Sequence, residues 1–297
     1  MAFPTLQWAA AELSEAYRAR RTLSLSTPER LTAYLVTRMP ATYAASYSVI
    51  GEVRRLLGDR PVATVLDVGA GAGAASLAAR RWFPAARLML IERDPAMAEA
   101  AREFLPDAEI LPRDLGHGDR LPPADLVLAS YSFSEFSASA RLAISLWTAA
   151  RVALAIVEPG TPRNFQLLLD VRGQLLEGGA SLLAPCPGPV PCPMVGGDWC
   201  HFGARVERSS LHRRLKGGAL GYEDEKYSYL AFVRDPVPPA VTRIVRRPEH
   251  RPGLIALEVC TPQGLRQVRA TKRDRDLFRE ARHAGWGDAM AGISLEK

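Results

Sequence analysis

The sequence lacks any apolar run near the ~20 residues a membrane-spanning helix needs, which excludes a helical membrane protein. It has no internal repeat and no low-complexity tract, so solenoids and compositionally disordered chains are excluded as well. Its first twenty residues lack the features of a secretory leader or an acid-poor transit peptide, because Glu12 and Glu15 stand beside Arg18 and Arg20. On that reading the cytoplasm is the default compartment and the mitochondrial matrix the alternative. Cysteine is scarce, four residues in 297. What remains is ordinary: 47% apolar and 24% charged residues describe a soluble globular protein with one main domain plus additions.

The few cysteines are not scattered. Cys186, Cys192 and Cys200 fall within A-P-C-P-G-P-V-P-C-P-M-V-G-G-D-W-C-H, Ala184 to His201, and only Cys260 lies elsewhere. Core cysteines behave as small hydrophobes among apolar neighbours; these sit among Pro, Gly and Asp, in a segment too irregular for a helix. Disulfides need an oxidising compartment. Structural zinc usually shows C-x(2–4)-C knuckles, whereas five and seven residues separate these cysteines. An iron–sulfur cluster also takes four thiolates and, being wider than one ion, tolerates looser spacing. Spacing favours a metal centre over unrelated thiols and leans towards the cluster, with zinc left open. His201 and His212 are possible substitute ligands.

Residues 1–58 read as helical, with Pro40 interrupting before a helix from Thr42 to Leu57. From Pro61 the pattern becomes α/β. V-A-T-V-L-D-V-G-A-G-A-G is a buried strand running into a glycine loop and then a helix from Ala74 to Trp82. Glycines let backbone approach a ligand closely, and the helix N-terminus favours an anionic group. The next strand, Arg87 to Ile91, ends at Glu92, placed to take two ribose hydroxyls. The loop looks like motif I of class I S-adenosylmethionine-dependent methyltransferases, here Asp67-Val-Gly69-Ala-Gly71-Ala-Gly73. That likeness implies Asp67 and the three glycines near the methionine moiety, Glu92 on the ribose and Asp114 beside the adenine. After the fourth strand, Asp125 to Ala129, comes S-Y-S-F-S-E-F. It has neither the Asn/Asp-Pro-Pro-aromatic motif of amino-group methylases nor a cysteine nucleophile. Ser130 and Tyr131 can line a pocket, but no catalytic residue is assigned.

Strand five, Val152 to Val157, ends in E-P-G-T-P; Leu182-Leu183 reads as strand six and Lys226 to Val233 as strand seven. The expected architecture is therefore a class I methyltransferase (Rossmann-like) α/β sheet over residues 59–235. A Cys-rich insertion at 184–225 separates its last two strands, and Glu223-Asp224-Glu225 reads as a solvated turn. Residues 236–297 add a small domain: a hairpin of Leu254–Cys260 and Leu265–Thr271, then a basic helix. The net charge of +6 is concentrated at Arg205, Arg208, Arg213, Arg214 and Lys216 and in the Arg-rich last sixty residues. Such a patch suits a phosphate backbone, and a solvated surface equally.

Taken together, R-M-P-A-T-Y-A-A, L-D-V-G-A-G-A-G, E-P-G-T-P, A-P-C-P, D-W-C-H-F, E-D-E-K-Y-S-Y-L and W-G-D span residues 38–288. They resemble the small-ribosomal-subunit methyltransferase-like family of bacteria and mitochondria. One departure is A-P-C-P-G, where relatives often carry His after the proline. The resemblance implies a class I fold, a 4Fe-4S cluster on Cys186, Cys192, Cys200 and Cys260, and binding to small-subunit ribosomal RNA and ribosomal proteins. The expected function is an RNA-binding assembly factor with an S-adenosylmethionine pocket. The alternatives are an active ribosomal-RNA methyltransferase and a zinc-stapled small-molecule methyltransferase.

Overall fold

The structure, a computed structural model, describes residues 2–19, 21, 23–115, 120–136, 139–188, 190–194, 196–238, 240 and 242–290. Three helices open the chain: α1 (Phe3–Arg18), α2 (Pro28–Thr37) and α3 (Met39–Leu57). Pro40 sits in the first turn of α3, where its missing N–H costs nothing, so it starts that helix after Arg38. Then follow β1 (Thr64–Val68), α4 (Ala74–Trp82), β2 (Arg87–Ile91), α5 (Pro95–Phe104), β3 (Glu109–Leu111), β4 (Ala124–Ser130), α6 (Ser139–Ala149) and β5 (Ala150–Pro159). After α7 (Pro162–Glu177) come β6 (Ser181–Ala184), β7 (Phe202–Glu207), α8 (Ser210–Lys216) and β8 (Tyr222–Val233).

These strands form one sheet in the order β3-β2-β1-β4-β5-β8-β6, with β7 paired to the leading half of β8. β1 to β5 are parallel; β8 runs antiparallel to β5, β6 and β7. A parallel sheet is covered on both faces, which is why its strands are near-continuous apolar runs rather than alternating ones. One face packs on α3 and α4 through Val49, Ile50, Val53, Ala75, Ala78 and Ala79. The other packs on α6 and α7 through Leu142, Leu146, Trp147, Leu168 and Val171. The open order with its antiparallel penultimate strand is the class I methyltransferase fold expected from the sequence.

Strand seven of that fold starts earlier than expected, at Tyr222. Glu223-Asp224-Glu225 is strand, not solvated turn, because it pairs with β7 in register Ala204↔Glu225, Arg205↔Asp224 and Val206↔Glu223. β7 and α8 both belong to the cysteine-bearing excursion between β6 and β8. Ser209 caps α8 by accepting from the His212 N–H, a contact worth about 1 kcal/mol.

Beyond it, β9 (Arg243–Ile244), β10 (Glu249–Arg251), β11 (Leu254–Thr261) and β12 (Gly264–Thr271) make a second antiparallel sheet, followed by α9 (Arg275–Ala281). The alternating burial of β11 places Ile255, Leu257 and Val259 in a small core with Ala270 and Ala281. Cys260 has the opposite phase, and so leaves that core for the main sheet. The helices α1, α2 and α8 share a cluster with Ala72, Ala74, Met97 and Ala100, which seats α1 and α2 over the glycine loop. No helix among the described residues is long and apolar enough to cross a membrane.

Candidate functional site

The carboxyl ends of β1, β2 and β4 open into a cleft of about 530 Å³. Its floor is the turn after β1, where Gly69 and Gly71 hold φ at +70° and +56°. A Cβ on Gly69 would stand 2.5 Å from Ser132 Cβ, so a side chain there is barred by space as well as by backbone conformation. The Gly69 and Ala70 N–H groups donate to the Ile91 carbonyl at 2.9 and 3.0 Å, tying the loop to β2. The next residue, Glu92, accepts from the Gly71 N–H at 2.8 Å and the Asp94 N–H at 2.7 Å. Each carboxylate oxygen keeps capacity for a ligand hydroxyl. Asp114 also lines the cleft, its exposed carboxylate 3.7 Å from Arg93.

Asp67 and Gly73 are placed differently. Asp67 is only 1% exposed and accepts from the Ser76 hydroxyl at 2.7 Å, behind the loop rather than along the cleft. Burial pushes its carboxyl up to about 6. Gly73, with φ +86°, precedes the first turn of α4, and a Cβ there would stand 3.1 Å from Leu105 Cδ1. Both shape the loop from beneath.

The far wall is made by residues that composition and motif did not assign. Tyr17 of α1, Tyr34 of α2 and Arg38 at the α2–α3 junction line it, with the Arg38 guanidinium 3.7 Å from the Tyr17 ring centroid. Burial raises both tyrosine hydroxyls to about 12, keeping them neutral donors. Beyond β4, Tyr131 adopts φ +57°, the left-handed region that an aromatic residue enters only at a cost. Its hydroxyl donates to Glu225 Oε1 at 2.8 Å. Burial pushes the Glu225 carboxyl up and the Tyr131 hydroxyl well up. The fourth strand thus gains a carboxylate from β8, 94 residues away in sequence, which no local motif could announce.

Glu158, in E-P-G-T-P, is fully buried; its Oε1 accepts from the Ser134 N–H at 3.3 Å and its Oε2 has no partner. Burial raises its carboxyl to about 7. A raised acid favours folding while protonated, so its contribution is present below the ordinary value of 4.5 and lost as pH rises through about 7. Glu158→Gln is expected to remove that fall and exceed the wild type by up to ~3 kcal/mol at pH 8. Urea unfolding at pH 5 and pH 8 measures it; equal pH slopes for the two proteins would refute it.

The four cysteines meet. Cys186, Cys192, Cys200 and Cys260 all line one cavity, walled by Phe165, Leu168, Met194, Tyr229 and Val245. β6 leads into the first, β8 fixes the third because the Ser228 hydroxyl donates to the Cys200 carbonyl at 2.7 Å, and β11 brings the fourth. Trp199 anchors the loop through its indole N–H to the Gly160 carbonyl at 2.9 Å. Burial raises the Cys192, Cys200 and Cys260 thiols, Cys260 to about 12, and neighbouring cysteines add to the rise at each. Among the described residues no three His, Cys, Asp or Glu side chains stand close enough to grip a single metal ion. The possible ligands that line the cavity are four sulfurs, the donors that suit a soft metal group. His201 stacks on Trp199 and its Nδ1 lies 3.1 Å from the Trp199 carbonyl, while His212 lies against Glu223; neither lines the cysteine cavity.

The sequence model of one family, described as mitochondrial small ribosomal subunit Rsm22, matches residues 28–291. This chain belongs to that family. The match covers β1 to β12, all four cysteines and the cleft apart from the wall that Tyr17 and its neighbours before residue 28 supply. No curated protein sequence matches the chain. Among solved structures it is similar to the plantazolicin methyltransferase BpumL in complex with SAH, at 13% identity and TM-score 0.49, covering 78% of this chain and 98% of that one. It is also similar to magnesium protoporphyrin IX methyltransferase from Synechocystis PCC 6803 with bound SAM, at 12% identity and TM-score 0.42, covering 76% and 97%. At such identity the likeness reaches no further than the path of the chain.

In this member of the Rsm22 family the basic patch of the excursion is largely matched internally. Arg208 and Lys216 both pair with Glu223. Arg205 and Arg247 share Asp224 at 2.9 and 2.8 Å. Arg214 is exposed, its guanidinium 4.1 Å from the Phe3 ring centroid. Arg213 is half-buried, with its Nε unpartnered. The Glu223 carboxyl is held below its ordinary value by Arg208 and Lys216 despite partial burial. Exposed Arg269, Lys272, Arg273 and Arg282, on and beyond β12, form no ion pair among the described residues.

Proposed function

We propose that this chain is an RNA-binding assembly factor of the small ribosomal subunit, with a 4Fe-4S cluster on Cys186, Cys192, Cys200 and Cys260 and S-adenosylmethionine in the glycine-loop cleft. The observation that carries the reading is the convergence of four thiols, from two separate parts of the chain, on one apolar cavity. A cluster there would tie the β6–β8 excursion to β11 and hold the second sheet against the first. In the cleft, Gly69 and Gly71 admit the methionine end, Glu92 accepts from the ribose hydroxyls and Asp114 lies by the adenine, while Asp67 and Gly73 support the loop. The family's mitochondrial description fits the matrix rather than the cytoplasm.

Protein purified without oxygen is expected to be brown, with broad visible absorption and iron and sulfide in equal amounts. Colourless protein with stoichiometric zinc would overturn the cluster. Binding to small-subunit RNA is expected to weaken steeply with salt. Neutralising Arg213 and Arg214, or Lys272 and Arg273, should lower the slope of log K against log salt by roughly 0.9 for each phosphate left without its cation. Neutralising Arg208 should instead lower stability, because it strips a partner from Glu223. Salt-independent binding would count against the RNA surface.

The second reading, an active RNA methyltransferase, is favoured by the Tyr131–Glu225 pair at the cleft. A carboxylate with a raised pKa can take the proton of an attacking amine or hydroxyl. On that reading Glu225→Gln should slow transfer of labelled methyl groups to small-subunit RNA by ~100-fold or more. Wild-type protein that transfers none, yet supports subunit assembly, would leave the first reading alone.

A further inference from the structure

Two arginines reach the cysteine cavity, one from α7 and one from β9, and each keeps a buried N–H group without a partner. Arg172 of α7 is 7% exposed; its Nη2 donates to the Gly188 and Val190 carbonyls, at 3.1 and 2.6 Å, and its Nε has no partner. No acidic side chain pairs with it among the described residues. Arg243 of β9 is 2% exposed and donates from Nε to the Pro185 carbonyl at 2.9 Å. Its Nη1 donates to Glu52 Oε1 at 2.7 Å and to the Gly287 carbonyl at 2.8 Å, and its Nη2 has no partner. Both side chains line the cavity with the four thiols.

Such an arrangement is costly by itself. A buried cation without a counter-ion, or a buried N–H without an acceptor, costs more than a surface one gains. Glu52 does not cancel the excess, since it also takes both guanidinium bonds of Arg55, at 2.8 Å each. With Arg55 solvent-exposed, the two buried guanidiniums against one carboxylate leave one positive charge in surplus. The fold tolerates this if the cavity holds an anion that accepts hydrogen bonds. Four thiolates around a doubly positive iron–sulfur core carry two negative charges, and their sulfurs accept N–H donors.

We propose that Arg172 and Arg243 are the charge partners of the four-thiolate centre, donating their unpaired N–H groups to its sulfurs and stabilising it against loss and against the added charge of reduction. This rests on the cluster reading of the cavity. Arg243 has a second role. Through Pro185, Glu52 and Gly287 it joins the first cysteine's loop, α3 and the turn after α9, so the loaded centre fastens all three. Arg172 ties α7 to one segment only, through the Gly188 and Val190 carbonyls, and has no acidic partner among the described residues, so it is the cleaner probe.

The test compares wild type, Arg172→Met and Arg172→Lys, reconstituted with iron and sulfide without oxygen. Arg172→Met should lose its cluster to a chelator on the order of 10-fold faster than wild type. Its cluster should be reduced at a more negative potential, because a positive charge and a donor are gone. Without cluster the difference in melting midpoint should largely vanish, because removing an unpaired buried cation offsets the loss of its bonds to the Gly188 and Val190 carbonyls. Arg172→Lys, which keeps the charge, should restore part of the potential. Arg243→Gln should shift the potential the same way, with lower stability as well. If wild type loads and Arg172→Met matches its potential and chelator lifetime, the inference fails while the cluster stands. If wild type takes up neither iron nor sulfide, the cluster reading fails and this one with it.

Discussion

Cys200→Ser is expected to leave the protein nearly free of iron and sulfide and to lower its melting midpoint by on the order of 10 °C. The Cys200 backbone is tied to the main sheet: its carbonyl accepts from Ser228 on β8, and its neighbour Trp199 is pinned to Gly160. A serine there keeps the loop but removes a soft anionic ligand, leaving three thiolates. Metal-site binding is folding free energy where the site does not exist in the unfolded chain. A loss of several kcal/mol corresponds to such a shift for a protein of this size. Cys260→Ser should reproduce the loss of iron, although Cys260 lies on β11, far from Cys200 in sequence. Differential scanning calorimetry with iron and sulfide analysis decides it; unchanged metal content and midpoint in Cys200→Ser would remove the cluster from the account.

The second large effect concerns the cleft. Glu92→Ala is expected to weaken S-adenosylmethionine binding by on the order of 100-fold in titration calorimetry. The ribose hydroxyls would be left without their acceptor, and the glycine loop without the Gly71 N–H bond that shapes it. Hydrogen bonds to a charged group contribute about 1.5–3 kcal/mol each, and two of them account for that factor. Asp67→Asn should cost far less, since Asp67 is buried behind the loop and its bond from Ser76 survives the change. Equal losses in the two variants would contradict the placement of Glu92 as the residue that meets the ligand. A Glu92→Ala protein that still supports small-subunit assembly would separate that role from methyl transfer.

Local motifs carried more of the cleft floor than of its walls. The glycines, Glu92 and Asp114 are legible because strand, loop, helix and acid follow one another within about fifty residues, and each link is a short-range rule. Tyr17, Tyr34 and Arg38 were not legible as cleft residues, since α1 and α2 reach the loop only by packing on Ala72, Ala74 and Met97. The turn expected at Glu223-Asp224-Glu225 became strand for a similar reason. Consecutive acids look solvated until the neighbouring excursion supplies Arg205 for Asp224 and Arg208 and Lys216 for Glu223. That pairing leaves Arg213 and Arg214 in the excursion, and Arg269, Lys272, Arg273 and Arg282 on and beyond β12, as charges without an acidic partner among the described residues.

By itself the sequence determined the α/β class, the position of the nucleotide-type loop, the hairpin near the end and the clustering of three cysteines, because periodicity and spacing express these locally. Only the tertiary structure decided that Cys260 joins the other three, that Glu225 meets Tyr131, and that Arg172 and Arg243 end in the same cavity. Each of those depends on contacts between residues dozens to hundreds of positions apart, and sheet order, not sequence distance, sets which of them become neighbours.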